Sequence, residues 1–181
     1  MEPGNLTKDR DQFRDREDEE IMEITVGMGE IKVTGSPSLL KAIGLGSCIA
    51  VALYDGDAGI GGLAHIMLPH IQKAYDNSVP PRFADVAISK MIDEMKSRGA
   101  RIQSIKAKIF GGANMFPEII VSNSPMDVGR KNIQAVREEL KRNDIEIVVS
   151  VVGDHIGRTV TFDTRDGSAV IKAAGLEARS Y

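Results

Sequence analysis

The chain has 181 residues, of which 42% are hydrophobic and 27% are charged, a composition typical of one globular domain with a sizeable core. Its 26 acidic and 23 basic residues give a net charge of −3, and it has no tryptophan and only 4% aromatic residues. A basic face or an aromatic platform for nucleic acid is therefore not expected. No segment approaches the roughly eighteen consecutive apolar residues that a membrane span requires.

Residues 1–20 contain eight acidic and four basic side chains and almost no apolar ones. Such a segment buries too little apolar surface to order itself, so we predict a flexible charged tail. It also lacks the apolar stretch of a secretion signal. We therefore expect a single domain over residues 21–181, and a lone cysteine without an export signal indicates the reducing cytoplasm.

The first half of the chain predicts mainly strands. Alternating or continuous apolar patterns predict strands at 21–26, 31–34, 49–54 and 59–68. Residues 39–43 lead into the turn Gly44-Leu45-Gly46-Ser47-Cys48, and residues 55–57 predict a hairpin turn. Residues 70–82, which include Pro80-Pro81, are predicted to form a loop.

The second half alternates helices and strands. A helix is predicted by one apolar stripe and a glycine stop at Gly99. The stripe consists of Ala84, Ala87, Ile88, Met91, Ile92 and Met95. A strand at 104–110, a helix at 127–143 begun by Asp127, a central strand at 145–152 and a hairpin of 160–162 with 169–173 follow. This order predicts an α/β layered fold, with a mixed β-sheet that carries two main helices.

The only cysteine, Cys48, follows a glycine-rich turn and precedes an apolar strand. The two glycines of the turn allow a sharp change of direction, which would hold the thiol at a sheet edge that a substrate can reach. The backbone amide groups of Gly46, Ser47 and Cys48 are candidate donors for a bound anion or oxyanion. A cysteine that merely fills the core is the alternative.

His65 is the candidate base for this thiol. If residues 55–58 form the hairpin turn, Tyr54 faces Gly59 and Cys48 falls opposite His65. Residues directly opposite on paired strands have Cβ atoms roughly 4.5–5.5 Å apart, and a slip of one residue would move the two side chains to opposite faces. A strand histidine that is simply a satisfied polar residue is again the alternative.

Other kinds of site have weaker support. A cysteine phosphatase would need an arginine shortly after Cys48, where the residues are apolar. His65 and His70 show no recognised metal-ligand spacing. The glycines at 111 and 112 follow a strand but lack the lysine of a phosphate-binding loop. We therefore predict neither a metal nor a cofactor.

Several blocks of the sequence resemble the CheD chemotaxis protein family. The cysteine and histidine blocks are the specific ones, and the matching blocks run in order from about residue 22 to residue 172. They are Gly44-Leu45-Gly46-Ser47-Cys48-Ile49-Ala50-Val51, Ala64-His65-Ile66-Met67-Leu68-Pro69, Phe83-Ala84-Asp85, Lys108-Ile109-Phe110-Gly111-Gly112-Ala113-Asn114-Met115-Phe116 and Gly129-Arg130-Lys131-Asn132.

The resemblance implies a chemoreceptor glutamine deamidase with a fold related to that of bacterial toxin deamidases. It assigns the nucleophile to Cys48 and the base to His65, and the same site would also suit a glutamate methyl ester. The family usually has a threonine six residues before the cysteine as third member of the triad, and this chain has Ala42 there. A backbone carbonyl, a water or another side chain would then have to orient His65.

The resemblance also implies protein partners. They are methyl-accepting chemotaxis receptors as substrates and a CheC-type phosphatase that couples the protein to the response regulator CheY. We expect Phe116 and the preceding Gly111 and Gly112 to form part of the phosphatase-binding surface. The alternative function is a regulatory binding module for that phosphatase, with weak or no catalysis.

Overall fold

The computed structural model describes residues 21–71, 79–119, 124 and 127–181. The predicted tail at 1–20 and most of the predicted loop at 70–82 lie outside the described residues. The strands are β1 (Met22–Thr25), β2 (Ile31–Gly35), β3 (Ser38–Leu45), β4 (Ile49–Asp55), β5 (Ile60–Ile66), β6 (Ile105–Gly111), β7 (Glu146–Val152), β8 (Arg158–Asp163), β9 (Ala169–Ala173) and β10 (Arg179–Ser180). The helices are α1 (Ala84–Ser97) and α2 (Val128–Arg142), and Ile102–Ser104 forms a short 3₁₀ turn.

These elements build three layers. The first sheet has the strand order β1-β3-β8-β9-β10, and the second has the order β2-β5-β4-β6-β7. Each sheet contains both parallel and antiparallel pairs. The two helices contact each other and pack on the second sheet. The predicted α/β layered fold with mixed pairing and two main helices is confirmed, although the strands divide into two sheets.

The second sheet forms the middle layer because its central strands are apolar on both faces. Ile49, Val51 and Leu53 of β4 belong to the core beneath the helices. Ala50 and Ala52 of the same strand belong to the core between the two sheets. The apolar run after Cys48 is therefore explained by a strand with a packed layer on each side.

Both predicted helices are present at their predicted positions. All six residues of the α1 stripe are buried, and Gly99, with a φ of 107°, follows the helix end. Asp127 precedes α2, and its side chain accepts a hydrogen bond of 3.1 Å from the backbone N–H of Arg130. The acid at this end and the basic Lys141 at the other end complement the helix dipole.

The prediction of a central strand at 145–152 is wrong, because β7 lies at the edge of the second sheet. Its apolar run arises because side chains pack on both of its faces: Ile147 contacts the helix-side core, and Val149 and Val151 contact the inter-sheet core. A shift in its register with β6 leaves Val148 with no paired residue on that strand, and Val148 is 47% exposed.

The predicted register of the hairpin is also wrong, by two residues. Ala50, rather than Cys48, lies opposite His65, because residues 56–59 form the turn and Asp55 pairs with Ile60. The Asp55 carboxylate accepts hydrogen bonds of 3.1 Å from the N–H groups of residues 57 and 58, and residue 59 is a glycine with a φ of 62°. A shift of two residues keeps the alternation of faces, so Cys48 and His65 remain on the same side of the sheet.

Candidate active site

Cys48 lies where the chain passes from one sheet to the other. Strand β3 of the first sheet ends at Leu45, and β4 of the second sheet begins at Ile49. Gly44 has a φ of 73° within the irregular pairing that ends β3, a conformation that suits glycine. The Cys48 side chain is half-buried and packs against the inter-sheet core. The glycine turn therefore places the thiol at the end of both sheets, as the sequence indicates.

The three carbonyl groups of the cysteine loop, residues 46–48, are all held by hydrogen bonds. The N–H of Ala113 donates to Gly46 O over 2.8 Å, and the N–H of Gly112 donates to Cys48 O over 2.8 Å. The side-chain amide of Asn132 donates to Ser47 O over 2.9 Å. These contacts fix the orientation of each peptide plane in the loop.

The amide groups of Ser47 and Cys48 point away from those supports, because N–H and C=O lie on opposite sides of a trans peptide. Within the described part of the chain, neither N–H group donates a hydrogen bond. They are therefore available to a negatively charged oxygen that approaches the thiol. Such donors are the ones that an oxyanion hole requires.

The His65 ring is buried in the space between the sheets, with 1% of the residue exposed. Its Nδ1 lies 3.4 Å from the carbonyl oxygen of Val26, a geometry that assigns the ring proton to Nδ1 because the carbonyl can only accept. The Nε2 atom is buried and has no hydrogen-bond partner among the described residues. His65 therefore presents an unoccupied basic nitrogen on the side of the sheet that Cys48 shares.

The backbone carbonyl of Val26 orients the His65 ring. The side chain of Ala42 has no polar atom that could do so. Ala42 is fully buried in the inter-sheet core, where it pairs with Val160. Val26 is itself held by a hydrogen bond of 2.8 Å from its N–H to Lys41 O. Of the three candidates for orienting His65, the structure shows a backbone carbonyl.

Burial sets the charge state of the pair. Desolvation raises the pKa of the Cys48 thiol, and no nearby cation opposes this shift among the described residues. Desolvation lowers the pKa of His65, and the contact with the Val26 carbonyl only partly offsets the effect. At neutral pH the resting pair is therefore a neutral thiol and a neutral imidazole.

Asn132 is the residue of this region to which sequence reasoning assigned no role. It is fully buried on α2, and its Nδ2 donates to Ser47 O and to Met67 O, each over 2.9 Å. The available signal was a polar residue on the buried face of an amphipathic helix. Asn132 also belongs to one of the blocks that carry the family resemblance.

The segment after β6 supports the cysteine loop. Gly111 and Gly112 are buried, so of the three residues predicted as a partner surface only Phe116 is exposed, at 61%. Beside Phe116, a cavity of about 140 Å³ is lined mainly by two segments. They are residues 113–116 and 127–129, and Ser47 of the cysteine loop also lines the cavity.

Within the described ranges, no group of three or more His, Cys, Asp and Glu side chains is placed to hold a metal ion. His70 lies instead near two carboxylates, with its Nε2 3.5 Å from Glu138 and its Nδ1 4.0 Å from Asp85. No helix in the described part of the structure has the length and apolar character needed to cross a membrane.

Comparisons with known proteins identify the family of this chain. The family model described as "CheD chemotactic sensory transduction" matches residues 67–173. A probable chemoreceptor glutamine deamidase CheD of Clostridium tetani is 47% identical over 157 residues, which are 87% of this chain and 94% of that protein. The chain belongs to the CheD family. A protein of the same description from Clostridium botulinum (strain Hall) is 43% identical over 157 residues, 87% of this chain and 96% of its own length.

One solved structure also resembles the chain weakly. The Bacillus licheniformis hypothetical protein YfiH gives a TM-score of 0.43 at 17% identity, over 67% of this chain and 49% of that one. The match of the CheD family model begins at residue 67, after Cys48 and His65.

Proposed function

We propose that this protein is a protein-glutamine deamidase that converts glutamines of methyl-accepting chemotaxis receptors to glutamate. Its relatives in the CheD family carry the name of probable chemoreceptor glutamine deamidases. The observation that carries the proposal is the buried Nε2 of His65, which lies on the face that Cys48 shares and has no hydrogen-bond partner in the described part of the chain. A buried acceptor without a partner is costly in a folded protein, and a catalytic role accounts for it.

The Cys48 thiol is not hydrogen-bonded to Nε2 of His65 in this structure, and catalytic hydrogen bonds commonly tighten when substrate binds. With the two groups in contact, catalysis begins with transfer of the thiol proton to Nε2 as sulfur attacks the carbonyl carbon of the glutamine side chain. The carbonyl oxygen becomes an oxyanion, which the N–H groups of Ser47 and Cys48 bind. The imidazolium then gives its proton to the amide nitrogen, ammonia leaves, and a thioester remains. In the second half His65 deprotonates a water, which hydrolyses the thioester to glutamate and restores the thiol.

Two catalytic effects of known size would accelerate these steps. General acid–base catalysis by His65 contributes about 10²–10⁴-fold to the rate. The oxyanion donors of the cysteine loop contribute about 10²–10³-fold. Because the resting pair is neutral, the proton moves with the attack, and no preformed thiolate is required.

The same site accepts a glutamate methyl ester, since only the leaving group differs. Methanol would then leave in place of ammonia. We assign the protein to the cytoplasm, where its single thiol stays reduced.

For the CheC-type phosphatase, we propose a contact surface formed by Phe116 and the neighbouring Met115, which are 61% and 43% exposed. The cavity beside them adjoins Ser47, so a partner bound there would lie next to the cysteine loop.

The test is incubation of the purified protein with a receptor cytoplasmic fragment, followed by mass spectrometry of the glutamine sites. The wild type is expected to convert specific glutamines to glutamate, whereas Cys48→Ala and His65→Ala are expected to lose most of this activity. Equal conversion by wild type and Cys48→Ala would rule out the proposed role of the thiol.

Ala42 favours a second candidate function, because it removes the side chain that the family usually supplies to the triad. In this alternative the protein mainly regulates a CheC-type phosphatase. Phosphatase assays and pull-downs with wild type and Cys48→Ala distinguish the two. Retained binding and stimulation, together with no deamidation by the wild type, would favour regulation.

A further inference from the structure

Asn132 joins the two segments that carry the candidate catalytic pair. Its Nδ2 donates to Ser47 O, in the loop that precedes the thiol, and to Met67 O, two residues after His65. Both distances are 2.9 Å. One planar amide group therefore fixes how far the cysteine loop lies from the end of β5.

The orientation of this amide follows from its neighbours. Both contacts are carbonyl oxygens, which only accept, so the NH₂ group and not the oxygen must face them. The Oδ1 atom is then left buried, with no hydrogen-bond partner among the described residues. An unpaired buried oxygen lowers stability, which an aliphatic side chain at this position would avoid. The presence of an amide side chain at this position is therefore explained by the two backbone carbonyls that its N–H groups bind.

The docking of α2 does not depend on this amide alone. Val136 and Leu140 are fully buried in the core beneath the sheet. At the start of the helix, Gly129 lies so close to the preceding loop that a Cβ would come within 2.6 Å of Gly112 O. The helix is thus a fixed platform, and Asn132 extends from it to both catalytic segments.

We propose that Asn132 is a positioning residue that sets the geometry of the Cys48 thiol relative to the His65 ring. It touches no reacting atom and acts through the backbone of the residues beside them. A small displacement of reacting groups is enough to slow a reaction strongly, so the amide affects turnover more than substrate binding. This inference rests on the deamidase function proposed above.

The test compares Asn132→Ala and Asn132→Asp with wild type in the receptor deamidation assay. Asn132→Asp keeps the shape of the side chain but removes both N–H donors. We expect either change to lower kcat about 10²-fold and to leave KM within about twofold of wild type. Circular dichroism melts give the folded fraction at the assay temperature, to which each kcat is normalised.

Asn143→Ala is the matched control, because it removes an asparagine amide from the other end of the same helix. Asn143 Nδ2 donates to Glu139 O over 2.8 Å, remote from the cysteine loop. We expect this variant to lower the melting temperature and to keep the wild-type kcat. A fall in kcat like that of the Asn132 variants would show that helix stability alone governs turnover, and would overturn the proposal.

Other outcomes are equally decisive. A folded Asn132→Ala or Asn132→Asp protein with wild-type kcat would overturn the proposal. Failure of both variants to fold would also overturn it, because the amide would then be needed for stability rather than for geometry. Cys48→Ala is measured in parallel. If it is active, the deamidase mechanism fails, whereas an inactive Cys48→Ala beside active Asn132 variants refutes only the positioning role.

Discussion

Gly129→Ala tests whether the start of α2 holds the cysteine loop in place. A Cβ at this position would lie 2.6 Å from Gly112 O and 2.9 Å from Ala113 O. Both contacts are backbone atoms, and the N–H groups of the same two residues hold Cys48 O and Gly46 O. Residues 112 and 113 therefore cannot move away from the new methyl group without displacing the cysteine loop that they hold.

Two opposing effects decide the sign of the change in stability. Alanine is a better helix former than glycine by roughly 0.8–1.0 kcal/mol. Overpacking against a well-fixed neighbour costs about 1–3 kcal/mol, and two contacts below 3.0 Å with backbone atoms place this substitution near the upper end. We expect Gly129→Ala to lower the free energy of unfolding by about 2 kcal/mol.

Urea unfolding and the deamidation assay measure this effect, with Arg130→Ala as the control. Arg130 is the next residue of the helix and is exposed, so its replacement should change neither quantity appreciably. In Gly129→Ala we expect a loss of kcat of about tenfold or more, because the displaced loop moves the support of Cys48. A Gly129→Ala protein that is more stable than wild type and keeps the wild-type kcat would show that the start of α2 does not hold the cysteine loop.

Three further predictions concern pH and the hairpin. Since burial lowers the pKa of His65, the acid limb of kcat/KM should lie below about pH 6.5, the usual histidine value. An acid limb above that pH would show that His65 is not the base. The folded state disfavours the charged ring, so the unfolded state binds more protons below about pH 6.5, and the free energy of unfolding should fall there as pH decreases. His65→Gln should weaken this dependence in matched urea titrations, and an unchanged slope would count against it. Asp55→Ala removes an acceptor from the N–H groups of residues 57, 58 and 101 and should lower the free energy of unfolding by about 1–3 kcal/mol while kcat is retained.

Local signals in the sequence were sufficient for the helices and the position of the thiol. The α1 stripe, the Asp127 cap and the glycine turn before Cys48 each depend on neighbours in the chain, and all are found in the structure. The resemblance of the cysteine and histidine blocks likewise identified the family. These features need no knowledge of how distant segments meet.

The remaining features depend on distant contacts. The hairpin register was wrong because the Asp55 carboxylate and Gly59 favour a four-residue turn at 56–59 instead of 55–58. The apolar run of β7 did not distinguish an edge strand packed on both faces from a central one. The Val26 carbonyl that orients His65 lies 39 residues upstream. Because the contact is made by a backbone atom, the type of residue at position 26 does not predict it.

Acid-quenched mass spectrometry of the protein during turnover of a receptor fragment tests directly whether Cys48 is the nucleophile. We expect a covalent adduct between the fragment and Cys48 that hydroxylamine releases, as for a thioester. Cys48→Ala should form no adduct and should not deamidate the fragment. Deamidation by Cys48→Ala at the wild-type rate, with no adduct on the wild-type thiol, would show that Cys48 is not the nucleophile.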